Sequence, residues 1–139
     1  PWWTLIDRWD AERYLAIARD GYVATGPARF YLVGLPLYPW LVRVVSWLGF
    51  GIPSAALAVS GIASLAAGWW LFRLVQEDEG EATGRLAVWF FFIFPTSYFL
   101  HIAYTEGILL ALAIGSFFAA RKERWALAGI LAGLACICG

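Results

Sequence analysis

Two long runs without a charged residue constrain this chain more than any other feature. Residues 44–72, between Arg43 and Arg73, and residues 86–105, between Arg85 and Glu106, contain no Asp, Glu, Lys or Arg. A helix crossing about 30 Å of hydrocarbon needs roughly 20 apolar residues, and both runs are long enough. The chain is 62% hydrophobic and 14% charged, where a soluble domain carries about 25% charged residues. Its nine Trp, ten Phe and six Tyr suit the membrane interface, where aromatic rings gather. The expected class is therefore an all-α, polytopic membrane protein. The formal net charge is zero, so no attraction to nucleic acid is implied.

The chain divides into three parts. Residues 1–35 form a charged, aromatic segment, 36–50 a juxtamembrane or re-entrant segment, and 51–139 about four transmembrane helices, the last one truncated. No signal peptide is visible, and a start at Pro1 with an end inside an apolar run suggests a piece of a longer protein. In the first part, "DAERYLAIARDG" predicts a short helix. Asp10 suits its N-cap, Glu12 its positive end and Gly21 its C′ position. Charged ends and an apolar middle predict that this helix lies along the membrane surface. Trp2, Trp3 and Trp9 read as interfacial anchors.

Pro36 and Pro39 break the start of the second part, and "GFGIP" breaks its end. About a dozen residues with Arg43 among them make a short span, so the segment is expected to dip and return. Residues 54–75 and 86–104 read as spans separated by a polar loop, 76–85. A further span runs to Ala120, the basic loop "RKER" follows, and Trp125 begins another. Small residues such as Gly61, Ala66, Gly68, Gly129 and Gly133 suit close helix packing in lipid. Cys136 and Cys138 have no acid or His beside them and read as packing residues, not a metal pair.

Short cytoplasmic loops carry excess Lys and Arg, which puts 121–124 and 76–85 inside. Glu106 then falls at the outer end of its helix. If 36–50 dips without crossing, Asp10 and Glu106 share the outer side. A carboxylate in an apolar stretch costs roughly 2–3 kcal/mol even on lenient scales, so Glu106 is a functional candidate as well as a helix-starting acid. His101 lies shortly before it, and Arg43 can snorkel to headgroups or hold a phosphate. Two outward carboxylates, a His and an Arg suit a reaction on a lipid-linked phosphate. No Gly-rich nucleotide loop is present in the sequence.

Three stretches, "RWDAERYLAIARDGY", "LPLYPWLVR" and "FPTSYFLHIAYTEG", resemble in order three motifs of the PIG-V family, the GPI mannosyltransferase 2 proteins and their bacterial relatives. The matching positions are Trp9 and Asp10; Ile17, Ala18, Gly21 and Tyr22; Pro36 and Pro39; and Pro95, Tyr104, Thr105 and Glu106. The aromatic pair expected before Pro36 is Gly34 and Leu35 here. The resemblance implies a GT-C glycosyltransferase, a helical bundle with surface-lying helices in its first outer loop. It implies a polyprenyl-phosphate sugar donor, dolichyl-phosphate mannose in eukaryotes, and a site facing the exterior or the lumen.

Carried over, the essential Asp of that loop is Asp10, acting as general base on the acceptor hydroxyl. Glu106 is expected to orient the acceptor or Asp10, or to help hold a divalent metal. Trp9, Tyr38, Arg43, His101 and Tyr104 are the expected substrate contacts, with Arg43 assisting departure of the lipid phosphate. The acceptor would be a glycolipid, glycan or protein, and the membrane the endoplasmic reticulum or a bacterial plasma membrane. A transporter using Glu106 and His101 as an ion or proton relay is the alternative, and a membrane scaffold is a third.

Overall fold

The computed structural model describes residues 10–23 and 35–138, and of Asp10 only the backbone. Trp2, Trp3, Trp9, Gly34 and the Asp10 side chain lie outside the described residues. Among those described, the fold is all-helical, with no strand. Its elements are α1 (Asp10–Asp20), α2 (Leu37–Ser46), α3 (Ile52–Ile93), a 3-10 segment (Pro95–Leu100), α4 (Glu106–Arg121) and α5 (Trp125–Cys136).

α1 ends as its sequence predicts. Gly21 takes φ 77°, and its N–H donates to the Ile17 carbonyl at 2.9 Å, which closes the helix in the left-handed C-terminal motif that glycine favours. The start differs slightly: the helix runs from Asp10 itself. Ala11, Leu15 and Ala18 are buried on one face, while Glu12, Arg19 and Asp20 are exposed. α2 has 10 residues, about 15 Å of rise, half of a hydrocarbon core. It stops at a turn that leads through Gly49 (φ 96°) into Pro53, at the start of α3.

α3 has 42 residues, but Gly80 inside it takes φ 83° and ψ 170°, a region open only to glycine. The chain reverses there. A Cβ on Gly68 would lie 2.7 Å from the Phe92 ring, and one on Gly84 would lie 3.2 Å from the Phe72 carbonyl oxygen. These pairs straddle Gly80 almost evenly, so α3 is a helical hairpin with arms 52–79 and 81–93. The polar stretch 76–85 is therefore not a loop. Its Glu and Ala residues are good helix formers, and a single glycine makes the turn. The element is long and apolar enough to cross a membrane, and 39% of its most apolar window is buried within the fold.

The expected span 86–104 also ends early. Phe94 adopts φ −63° and ψ 139°, the extended conformation that a following proline imposes, so helix stops at Ile93. Pro95–Leu100 is 3-10, and 101–105 is irregular. α4 then opens on Glu106, the acid in its first turn, and packs against α3 through small residues. Ala56, Ser60, Ser64 and Ala67 are buried on α3, with Gly107 and Gly115 buried on α4. At the other end, Arg121 pairs with Asp78, and Lys122 reaches Glu77 at 2.7 Å. These ties fix the hairpin turn beside the α4–α5 connection.

Candidate functional site

A buried cluster joins elements far apart in sequence: Ala11, Leu15 and Ala18 of α1; Tyr38 and Val42 of α2; Ala55, Ala56 and Val59 of α3; Ile102, Ala103, Tyr104 and Ile108; and Cys138. Ala11 follows Asp10, while Tyr104 and Ile108 flank Glu106. The beginning of α1 and the beginning of α4 therefore belong to the same end of the bundle, remote from the ion pairs at Asp78 and Arg121.

Tyr38 organises this end and has no exposed surface. Its hydroxyl lies 3.0 Å from Ser60 Oγ, which donates to the Tyr104 carbonyl at 3.2 Å. The Ala56 carbonyl is a second acceptor for Tyr38, at 3.3 Å. Ser64 Oγ is within 2.8 Å of the Ser60 carbonyl and 2.7 Å of the Leu100 carbonyl. These hydroxyls satisfy carbonyls that the irregular segment after Pro95 cannot pair internally, as buried backbone requires. The same chain of bonds ties α2, α3 and the approach to Glu106 together. Burial raises the Tyr38 phenol above its ordinary range, with the Tyr14 and Glu106 groups pushing the same way, so it stays a protonated donor.

Aromatic rings cover the network. Tyr14 stands edge-on to Tyr38 at 5.5 Å and to Tyr104 at 6.4 Å between centroids, and Phe99 meets Tyr104 at 5.6 Å. Cys138 is buried with Sγ 3.7 Å from the Thr105 carbonyl, and the Leu37 N–H donates to the Ile137 carbonyl at 3.3 Å. The end of the chain after α5 thus closes the cluster from below. Glu106 itself is partly buried and lines a mostly apolar cavity of about 500 Å³ with Phe91, Phe94, Thr96, Ser97 and Leu110.

Not every expected residue gathers here. Tyr38 and Tyr104 do, and both act through buried contacts within the fold. Arg43 does not: it is exposed, and its guanidinium lies beside Gly21, 3.8 Å from where a Cβ would stand. Gly21 is about 16 Å along α1 from Asp10. His101 is not on a spanning helix. It is exposed in the irregular segment, stacks on Phe92 at 6.1 Å and is not a member of the buried cluster. Among the described residues, no three His, Cys, Asp or Glu side chains gather as a metal site.

Ser60, Ser64 and Tyr14 were not among the expected site residues. The two serines carry a signal all the same: hydroxyls one turn apart inside an uncharged run need buried partners. No protein-family model, curated protein or solved structure matches this chain.

Proposed function

We propose that this chain is part of a membrane glycosyltransferase. It moves a mannose-like sugar from a polyprenyl-phosphate donor to a hydroxyl acceptor at the outer or lumenal face. The observation that carries this reading is the shared buried cluster at the starts of α1 and α4, which brings the backbone of Asp10 and Glu106 to one end of the bundle. The shortness of α2 supports the same geometry, because a helix of 10 residues is too short to cross the hydrocarbon core. Broad exposure of apolar side chains along the arms, such as Ile62 at 69% and Trp89 at 67%, supports a lipid surround.

In this mechanism Asp10 accepts the acceptor's proton as its oxygen attacks the anomeric carbon. The bond from that carbon to the phosphate oxygen breaks, and the lipid phosphate leaves as an anion. Glu106 orients the acceptor. Arg43, one length of α1 away, meets the phosphate at the outer rim and not at the acid itself. Its guanidinium suits phosphate oxygens.

The test uses membranes containing the full-length protein and polyprenyl-phosphate mannose as donor. Asp10→Asn keeps shape and hydrogen-bonding capacity but removes the base, and transfer should fall roughly 100-fold or more. Transfer near the wild-type rate would refute the assignment of Asp10.

A further inference from the structure

The end of the bundle opposite Glu106 holds a cavity that sugar transfer does not use. It measures about 490 Å³ and opens between the first arm of α3, α4 and α5, lined by Trp70, Arg73, Phe118, Lys122, Arg124 and Leu127. No carboxylate is among its lining residues. Of the acids at this end, Asp78 pairs with Arg121, Glu81 pairs with Arg85, and Glu77 pairs with Lys122 on the cavity wall, while Glu123 beside Arg124 is exposed. Arg73 lies over the Trp69 and Phe118 rings, 5.8 Å from each centroid. Neither Arg73 nor Arg124 takes part in those ion pairs. The cavity therefore combines two cations that they leave unneutralised with an apolar wall, and its volume falls in the usual range for a small-molecule site.

We propose that this cavity binds the headgroup phosphate of an anionic phospholipid. Arg73 and Arg124 hold the phosphate oxygens, since guanidinium groups present paired donors to such an anion. Trp70, Phe118 and Leu127 cover the glycerol and the first acyl methylenes. The apolar wall is the reason for choosing a lipid: a soluble phosphate would leave it unfilled. Basic pockets between helices on the cytoplasmic side are suited to acidic headgroups, and the short basic connection 121–124 is of the kind that stays cytoplasmic. The inference rests on the membrane reading alone and is independent of sugar transfer.

The full chain is reconstituted into nanodiscs of phosphatidylcholine with a minor fraction of phosphatidylglycerol, and retained lipid is counted by native mass spectrometry. Wild type should retain phosphatidylglycerol in preference to phosphatidylcholine. Arg73→Gln and Arg124→Gln should each reduce that preference by about fivefold. Arg124 is exposed in a connection, so its variant does not depend on core packing. Arg85→Gln, at the same end but outside the cavity, should leave the preference unchanged. Equal loss in Arg85→Gln would overturn the site in favour of diffuse surface charge. So would the absence of any preference in wild type. Full displacement of the lipid by inorganic phosphate would make this a soluble-phosphate site instead. Release of the chain from the nanodisc would count against the membrane reading itself.

Discussion

Adding one methyl group at Gly107 tests the contact that holds Glu106 in place. A Cβ there would stand 2.8 Å from Ser64 Oγ, 3.0 Å from the Ser60 carbonyl oxygen and 3.4 Å from the Ser64 nitrogen. Two of these three atoms are backbone, and Ser64 Oγ is held between two carbonyls, so none can swing aside. α3 and α4 must separate by several tenths of an ångström, and overpacking of this kind costs about 1–3 kcal/mol. Gly107 lies in the first turn of α4, where the helix-propensity gain of alanine is small. Gly61 supplies the comparison: it is helical, with nothing within 4 Å of where its Cβ would stand, and alanine there should stabilise by up to about 1 kcal/mol. Thermal unfolding of the purified chain in detergent should therefore move in opposite directions for Gly107→Ala and Gly61→Ala. A shift of about 4 °C per kcal/mol is expected for a chain of this size. Adding Ser64→Ala to Gly107→Ala should recover part of the loss, as a non-additive double-mutant cycle. If Gly107→Ala melts at or above wild type, α3 and α4 are not in the close contact described, and the placement of Glu106 goes with it.

Tyr38→Phe should lower stability by about 1 kcal/mol, because it removes the hydroxyl beside Ser60 while keeping the ring against Tyr14. An unchanged unfolding midpoint would mean the hydroxyl network contributes nothing. Gly80→Ala should cost about 1–3 kcal/mol, since alanine at φ 83° is strained; no loss in the same unfolding assay would mean the hairpin turns elsewhere. In a Cys136→Ser background, Glu12→Cys should react with an impermeant thiol reagent added outside intact cells, and Glu79→Cys only after permeabilisation. Labelling of both from one side would contradict the topology on which the enzyme reading depends.

Much of the helical outline could be read from residue order. α1 and its glycine stop, the shortness of α2, the acid opening α4 and the turn before Trp125 all follow from local signals. Glycine, proline and charge act there on neighbours within one or two turns. The polar stretch 76–85 misled because polarity suggests a loop, while its residues individually favour helix and only Gly80 interrupts. The span through Pro95 misled in the opposite direction: its hydropathy runs on to Tyr104, but the proline ends the helix at Ile93 for steric reasons. His101 and Arg43 were plausible by residue type and proximity in sequence. Their directions depend on Phe92 and on the C-terminal end of α1, which no local pattern reveals.

Sequence by itself determined the helical class, because long uncharged runs of good helix formers satisfy their backbone groups within each segment. Tertiary structure alone decided which ends meet. Tyr38 finds Ser60, and Tyr14 finds Tyr104, through packing across elements separated by tens of residues. Such contacts depend on where Gly80 reverses the chain and how closely Gly107 lets two helices approach. Shape complementarity of that kind is a property of the folded surfaces and not of any one segment.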